Sequence, residues 1–327
     1  MLSVRSAKGT RYRHVVFTGV RSAGRVLNFA PASPVSEISP AHAFPPPCNA
    51  SERRAIPEPL HSHETAFIRW LFDRAGLEAR SYRNETLRRR LRACLRALRT
   101  QSPGEARLLL QQRPDMIPLA VNAIVIGVTS FFRDSAVFDQ LTYQALPYLA
   151  SSAAKTAPRV WSVGCSSGEE LYSVAILLAE MGVLHQSILL GSDCRSDAIR
   201  QARQGLFDAA ALKHVPPRWV DRYFCPEIEK KYDRHHPSRY QVRDELRNAV
   251  QWRTADITRV REPGVWDLIL CRNMAMYFRS DASGRLWEGL EDMLRPGGYL
   301  VLGKAERPIG ARRLSCVGPC IYRRTLG

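Results

Sequence analysis

At 327 residues and 45% hydrophobic content, the chain is long enough for about two domains with a sizeable core. Lys and Arg total 48 against 31 Asp and Glu, and the net charge of +17 points to an acidic partner: a protein face, nucleic acid or an anionic surface. No run approaches the ~18 apolar residues of a membrane span, and the first residues lack an apolar signal core. The eight cysteines have no paired spacing, so a cytoplasmic protein with reduced thiols is expected, not a disulfide scaffold or a zinc site.

Residues 1–60 read as a basic, proline-rich extension without regular structure. Pro31, Pro34, Pro40, Pro45, Pro46, Pro47, Pro57 and Pro59 leave no room for a long helix or a central strand. An apolar run at 14–20 suits a short strand but has no evident partner.

An all-α domain is expected over 61–150. Phe67, Trp70, Leu71 and Ala75 recur at three- and four-residue spacing, and Gly76 suits the stop. Over 84–100, Leu87, Leu91, Leu95 and Leu98 form an apolar face. Arg88, Arg92, Arg96 and Arg99 follow it one position on, with Arg89 and Arg90 beside them. Such a stripe is most often a solvated face. The functional reading is a basic helix laid against an acidic partner, with Arg88, Arg89, Arg92 and Arg96 as its contacts. Further helical segments are expected at 104–112, 115–128 and 137–149, and small residues over 151–158 mark a boundary.

Over 151–327 strand and helix signals alternate, which predicts an α/β, Rossmann-like domain on a parallel sheet. Strands are expected at 160–163, 188–192, 250–254, 267–271 and 299–303, with helices at 196–204 and 281–294. A charged, aromatic-rich stretch at 225–249 breaks the alternation and reads as a small β-rich insertion. His235 and His236 within it have no carboxylate or cysteine at metal spacing, so no metal is expected there.

The chemistry centres on Pro158-Arg-Val-Trp-Ser-Val-Gly-Cys-Ser-Ser-Gly-Glu-Glu-Leu-Tyr172. A strand, a glycine-bearing turn and a helix build a nucleotide-type pocket at the carboxyl end of the first strand. Glu169 and Glu170 make this turn a poor phosphate cradle and suit a ligand with hydroxyls or positive charge. Asp193 ends the second strand, where an acidic residue takes ribose hydroxyls. An acid there without a pyrophosphate turn suits a nucleoside cofactor lacking phosphate, S-adenosylmethionine. Glu170 would then meet the cationic tail, Asp193 the ribose, and Asp256 with Ile257 the adenine.

Several stretches together resemble the CheR family of chemoreceptor glutamate methyltransferases. They are Thr129-Ser-Phe-Phe-Arg133, Trp161 through Ser173, Ser192-Asp193, Leu212-Lys213 through Arg222-Tyr223-Phe224, Asp267-Leu-Ile-Leu-Cys-Arg-Asn-Met-Ala-Met-Tyr-Phe278 and Pro296-Gly-Gly-Tyr-Leu. The resemblance implies methyl transfer from S-adenosylmethionine to a receptor glutamate. It implies Thr129, Arg133, Glu170, Asp193, Asp256, Ile257, Arg272 and Asn273 as cofactor contacts, and Arg133 with Tyr277 nearest the transferred methyl. It also implies the cytoplasmic domain of a chemoreceptor, or a related acidic helical protein, as partner. The β-rich insertion and the arginine helix would face it. Gly127 stands where the family usually has Asn, and Lys304-Ala305 where it has His-Ser before Glu306.

Three other readings compete. Gly164-Cys-Ser-Ser-Gly168 fits a nucleophile elbow with Ser166 as nucleophile, but that order needs a late His and His236 is the last. A nucleic-acid methyltransferase fits the charge but lacks a base-holding motif. A non-catalytic module that senses S-adenosylmethionine fits the departures at Gly127 and Lys304.

Overall fold

The computed structural model describes residues 61–153, 156–227, 238–259, 262 and 264–326. The extension at 1–60, with its apolar run, and His235 and His236 lie outside these residues.

The chain begins with helices α1 (Ser62–Arg74), α2 (Asn84–Leu98), α3 (Pro103–Gln112) and α4 (Ile117–Ile124). On α2 the buried residues are Leu87, Leu91, Cys94 and Leu98. Their alternating four- and three-residue steps follow the helical repeat, so Cys94 takes the inward place and Leu95 is half-buried. Ser102 caps α3 by accepting from the Glu105 amide at 3.2 Å, with Pro103 in the first turn. The helix expected to reach 128 stops at Ile124, because Val125 is extended (ψ 111°). The chain thereby releases the segment after it towards the sheet. The segment expected at 137–149 is two helices, α5 (Ser135–Gln144) and α6 (Leu146–Ala153). Pro147 lacks an amide hydrogen and is tolerated only in a first turn, so it divides them.

Strands β1 (Arg159–Val163) and β2 (Ile188–Asp193) flank α7 (Glu169–Glu180), and α8 (Ser196–Gln204) follows β2. Next come β3 (Leu206–Asp208), α9 (Pro217–Tyr223), β4 (Phe224–Pro226), β5 (Arg239–Val242) and α10 (Asp244–Arg247). The chain returns through β6 (Val250–Thr254), β7 (Trp266–Cys271), α11 (Ser280–Met293), β8 (Leu294–Leu302), β9 (Leu314–Gly318) and β10 (Ile321–Arg324). The seven-stranded sheet has the order β6-β2-β1-β7-β8-β10-β9. Strands β6 to β8 in that row pair in parallel, and β10 and β9 antiparallel. The last hairpin, β9–β10, was not signalled by the sequence: β9 is mostly exposed along its length, so it lacks the alternation that marks a half-buried strand.

The sheet grows from β1 in both directions, through β2 and β6 on one side and then through β7 and β8 on the other. At such a switch point the loops part and open a crevice at the carboxyl ends. Register fixes what stands there: Val163 pairs with Ser192 and Asp193 with Thr254. The sheet's two faces bury different cores. Val160, Leu268 and Val301 join the core with α5 and α7. Trp161, Ile269 and Leu300 join the core with α1, α2, α4 and α11. The N-terminal helices therefore cover one sheet face instead of standing apart. A second, three-stranded sheet has the order β3-β5-β4. It takes its first strand from outside 225–249. Among the described residues no helix is long and apolar enough to cross a membrane.

Candidate functional site

The turn from β1 into α7 is left-handed three times. Gly164 has φ +65° and a Cβ there would lie 2.6 Å from Met274 Sδ. Ser166 has φ 53° although it carries a side chain. Gly168, the N-cap of α7, has φ 97°. This path turns the Ser166 amide onto Asp193 Oδ2 at 2.9 Å. It also starts α7 so that Glu170 stands above β1, where Ser162 Oγ donates to its Oε1 at 2.9 Å. Glu169 points the other way and is buried, and burial pushes its carboxyl pKa up.

The segment after α4 is anchored by its two aromatic rings. Phe131 packs edge-on against Phe207 of β3 and Phe224 of β4, at 5.0 and 5.2 Å between centroids. The Phe132 amide donates to Ser173 Oγ of α7 at 3.0 Å. Thr129 and Arg133 are thereby held on the cleft wall, and Arg133 Nη1 donates to the Val128 carbonyl at 2.7 Å.

Arg272, at the end of β7, joins the two segments. It donates to Glu170 Oε2 at 3.1 Å, to Asp134 Oδ2 at 3.0 Å and to the Arg133 carbonyl at 2.8 Å. Its Nε is buried with no hydrogen-bond partner. Lys304 Nζ reaches Asp134 Oδ1 at 2.9 Å. Burial works against the Asp134 charge, but Lys304 and Arg272 outweigh it and hold its carboxyl below the usual range.

The loop after Arg272 is shaped by Glu306. Its carboxylate accepts from the amides of Asn273 (2.8 Å), Met274 (2.9 Å), Met276 (3.3 Å) and Gly303 (2.9 Å). These bonds hold Asn273 at φ 56°. The Arg83 amide donates to the Tyr277 carbonyl at 3.0 Å and Tyr82 bridges Phe278, so the N-terminal helices fix Tyr277 from the other side.

On the β2 side, Asp193 Oδ1 accepts from the Arg195 amide (2.9 Å) and Arg195 Nε (3.1 Å). Arg195 Nη2 also donates to Ser166 Oγ at 2.9 Å, and that hydroxyl donates to the Gly127 carbonyl at 3.0 Å. Burial opposes the Arg195 charge, yet Asp193 raises its pKa above the ordinary value. Ser166 has no imidazole among these partners, which removes the nucleophile-elbow reading. Asp256 Oδ1 accepts from the Thr258 amide and hydroxyl, and its Oδ2 from the Glu78 amide at 3.3 Å.

One cleft gathers Thr129, Arg133, Glu170, Asp193, Asp256, Ile257, Arg272, Asn273 and Tyr277 on its walls. Its empty volume is ≈ 1070 Å³ and includes space open to solvent. Arg88, Arg89, Arg92 and Arg96 stand elsewhere, on α2, which gives the cleft only Thr86. Arg89, Arg92 and Arg96 are exposed and Arg88 is half-buried. Sequence reasoning missed Arg195 and the bracing role of Glu306. Arg195 carried one signal, its place two residues after the acid that ends β2. Glu306 carried none that spacing reveals, because its partners are backbone amides.

Residues 127–315 match the model of the CheR methyltransferase, SAM binding domain. The chain is similar to chemotaxis protein methyltransferase 2 of Vibrio cholerae, 28% identical over 205 residues, 61% of this chain and 68% of that one. With the chemotaxis protein methyltransferase of Listeria innocua it shares 30% identity over 234 residues, 71% and 85% of the two chains. With that of Escherichia coli it shares 28% over 281 residues, 83% and 93%.

Proposed function

Because this chain belongs to the CheR methyltransferase family and is an S-adenosylmethionine-dependent methyltransferase, we propose that its methyl acceptor is a glutamate side chain of a chemoreceptor's cytoplasmic helices. The observation that carries this reading is the cleft itself. Glu170 at the start of α7, Asp193 at the end of β2 and Asp256 just past β6 share its walls with Arg133 and Tyr277.

The residues present fit the cofactor. Asp193 would take the ribose hydroxyls, and Asp256 with Ile257 the adenine edge and face. Glu170 would face the tail's ammonium group. Arg272, with its unpartnered buried Nε, would take the tail's carboxylate. Thr129 and Asn273 complete the set. When bound, S-adenosylmethionine supplies a methyl made electrophilic by its sulfonium.

The acceptor carboxylate, with a reference pKa of about 4.3, is already ionised at neutral pH, so the chain needs no general base. Its work is alignment in line with the S–CH₃ bond and exclusion of water. Arg133 would hold one carboxylate oxygen while the other attacks, and Tyr277 would close the opposite side. Charge is lost as the ester forms, so one orienting contact suffices and a strong oxyanion clamp would slow the step. The products are the methyl ester and S-adenosylhomocysteine.

The exposed Arg89, Arg92 and Arg96 suit an acidic helical partner, with half-buried Arg88 at the edge of the same stripe. The three-stranded sheet offers a second docking platform. Radiolabelled methyl transfer into chemoreceptor-rich membranes, with label released as methanol at high pH, is the expected result. Absence of base-labile label removes the glutamate. Substituting both Arg92 and Arg96 by Glu is expected to cut this transfer at least about tenfold while leaving S-adenosylmethionine affinity unchanged, as read by calorimetry. An equal fall in both would make the helix structural.

A further inference from the structure

A glycine and an arginine far apart in sequence occupy one volume beside Asp193. A Cβ built on Gly127 would lie 1.9 Å from Arg195 Nη2, 2.1 Å from its Cζ and 2.1 Å from its Nη1. The backbone at Gly127 is not left-handed, since no positive φ falls there. Conformation therefore gives no reason for glycine, and volume does. The guanidinium fills the place where a side chain would stand. Ser166 Oγ closes the ring, accepting from Arg195 and donating to the Gly127 carbonyl.

What the guanidinium does there follows from counting acceptors. A carboxylate offers about four lone-pair positions. On Asp193 the Ser166 amide and the Arg195 amide take one position on each oxygen. The other two face Arg195 Nε at 3.1 Å and Nη2 at 3.5 Å. A ribose brings two hydroxyls that need the same two positions. The side chains of Arg195 and Asp193 are only 10% and 7% exposed, so water does not weaken the pair.

We infer that Arg195 competes with the cofactor's ribose for Asp193 from a seat that exists because residue 127 is glycine, and that this competition sets the enzyme's affinity for S-adenosylmethionine. The inference rests on the reading of Asp193 as the ribose acceptor. Binding must first swing the guanidinium out, a rotation of a flexible side chain that leaves β2 in place. An intrinsic affinity is then reduced by the fraction of molecules in which the seat is empty. Charge-assisted hydrogen bonds of this kind make that fraction about one tenth.

The test is titration calorimetry of the full chain with S-adenosylmethionine and with S-adenosylhomocysteine, together with a melting curve for each variant. R195A is expected to bind both about tenfold more tightly, the 1.4 kcal/mol step. G127A adds a methyl inside the seat, evicts the guanidinium and is expected to tighten binding to a similar degree. The double variant is expected to be no tighter than either single one. D193A reports on the underlying reading: unchanged affinity there removes Asp193 from the ribose site and the competition with it. If D193A loses binding but R195A is unchanged or weaker, Arg195 is a ligand contact and the competition is overturned alone. If G127A weakens binding in both backgrounds, the methyl obstructs the ligand itself, and the assignment of the seat is overturned.

Discussion

Two carboxylate–arginine pairs flank the end of β1, and they are built differently. Glu170 pairs with Arg272, and Asp193 pairs with Arg195. Arg272 is 2% exposed in its side chain and reaches acceptors in separate segments, α7 and the loop before α5. Arg195 holds the acid two residues before it and one hydroxyl, and it rests where a side chain is missing. An arginine that ties distant segments is part of the frame. An arginine that ties its own neighbour can leave without moving the frame. The same chemical pair can therefore serve as structure on one side of a cleft and as a removable occupant on the other.

The largest expected effect tests this contrast in stability. R272A leaves half-buried Glu170 and Asp134 without their common partner and is expected to cost about 3 kcal/mol, the lower end of the range for breaking a buried pair from one side, since Lys304 and Ser162 remain. R195A is expected to cost less, about 1.5 kcal/mol, because Asp193 keeps two backbone amides. Urea denaturation of both variants reads the difference directly. Equal costs would erase the distinction between frame and occupant.

A smaller effect sharpens it in kinetics. Glu306 braces the Arg272 side through four amides. A glutamine there keeps one acceptor oxygen and turns an NH₂ group towards amide donors. E306Q is expected to lower kcat/KM at least about tenfold, since each charge-assisted bond contributes about 1.5–3 kcal/mol. Asn273 and Tyr277 would shift together, so kcat should fall as well as KM rise. R195A is expected to move KM for the cofactor downward instead. Steady-state methyl transfer at varied S-adenosylmethionine separates the two, and a pure KM effect in E306Q would mean that the loop does not carry Tyr277.

How much of this was legible in the sequence follows the same division. The frame was readable where local signals and burial agree. Segment 196–204 has the apolar spacing and terminal glycine of a helix, and α8 has those bounds. The strand at 250–254 alternates buried and exposed residues at its start and was placed on its residues. Asp193 and Asp256 were readable because strand ends gather in a parallel sheet, and Glu170 because it opens the helix that follows the first strand. Their partners were not. Nothing local joins Gly127 to Arg195 or Glu306 to Asn273, since those contacts arise only when the loops close over the sheet. The division at Ala145 was visible in Pro147 and overridden by the apolar periodicity on both sides. The inward place of Cys94 on α2 was overlooked because leucine outranks cysteine in an apolar stripe.

The smallest expected effect concerns pH and distinguishes the Arg272 side by its anchoring acid. Asp134 is ionised and held below the usual carboxylate range by Lys304 and Arg272. A depressed folded-state pKa gives stability that is complete above the unfolded value, about 3.9, and is lost as pH falls through the lower folded value. D134N removes the charge at every pH. The melting temperature of wild type should therefore exceed that of D134N by a constant gap from pH 8 to 5, and the gap should narrow only below about pH 4. Lys304 is 66% exposed, so its share is screened by salt, while the Arg272 share is shielded. In 1 M salt the gap should shrink but persist, at roughly 1 kcal/mol or less. A gap that begins to close near pH 6 would mean that Asp134 is not the acid paired with Arg272, and that this arginine is less firmly fixed than its counterpart Arg195 requires for the contrast to hold.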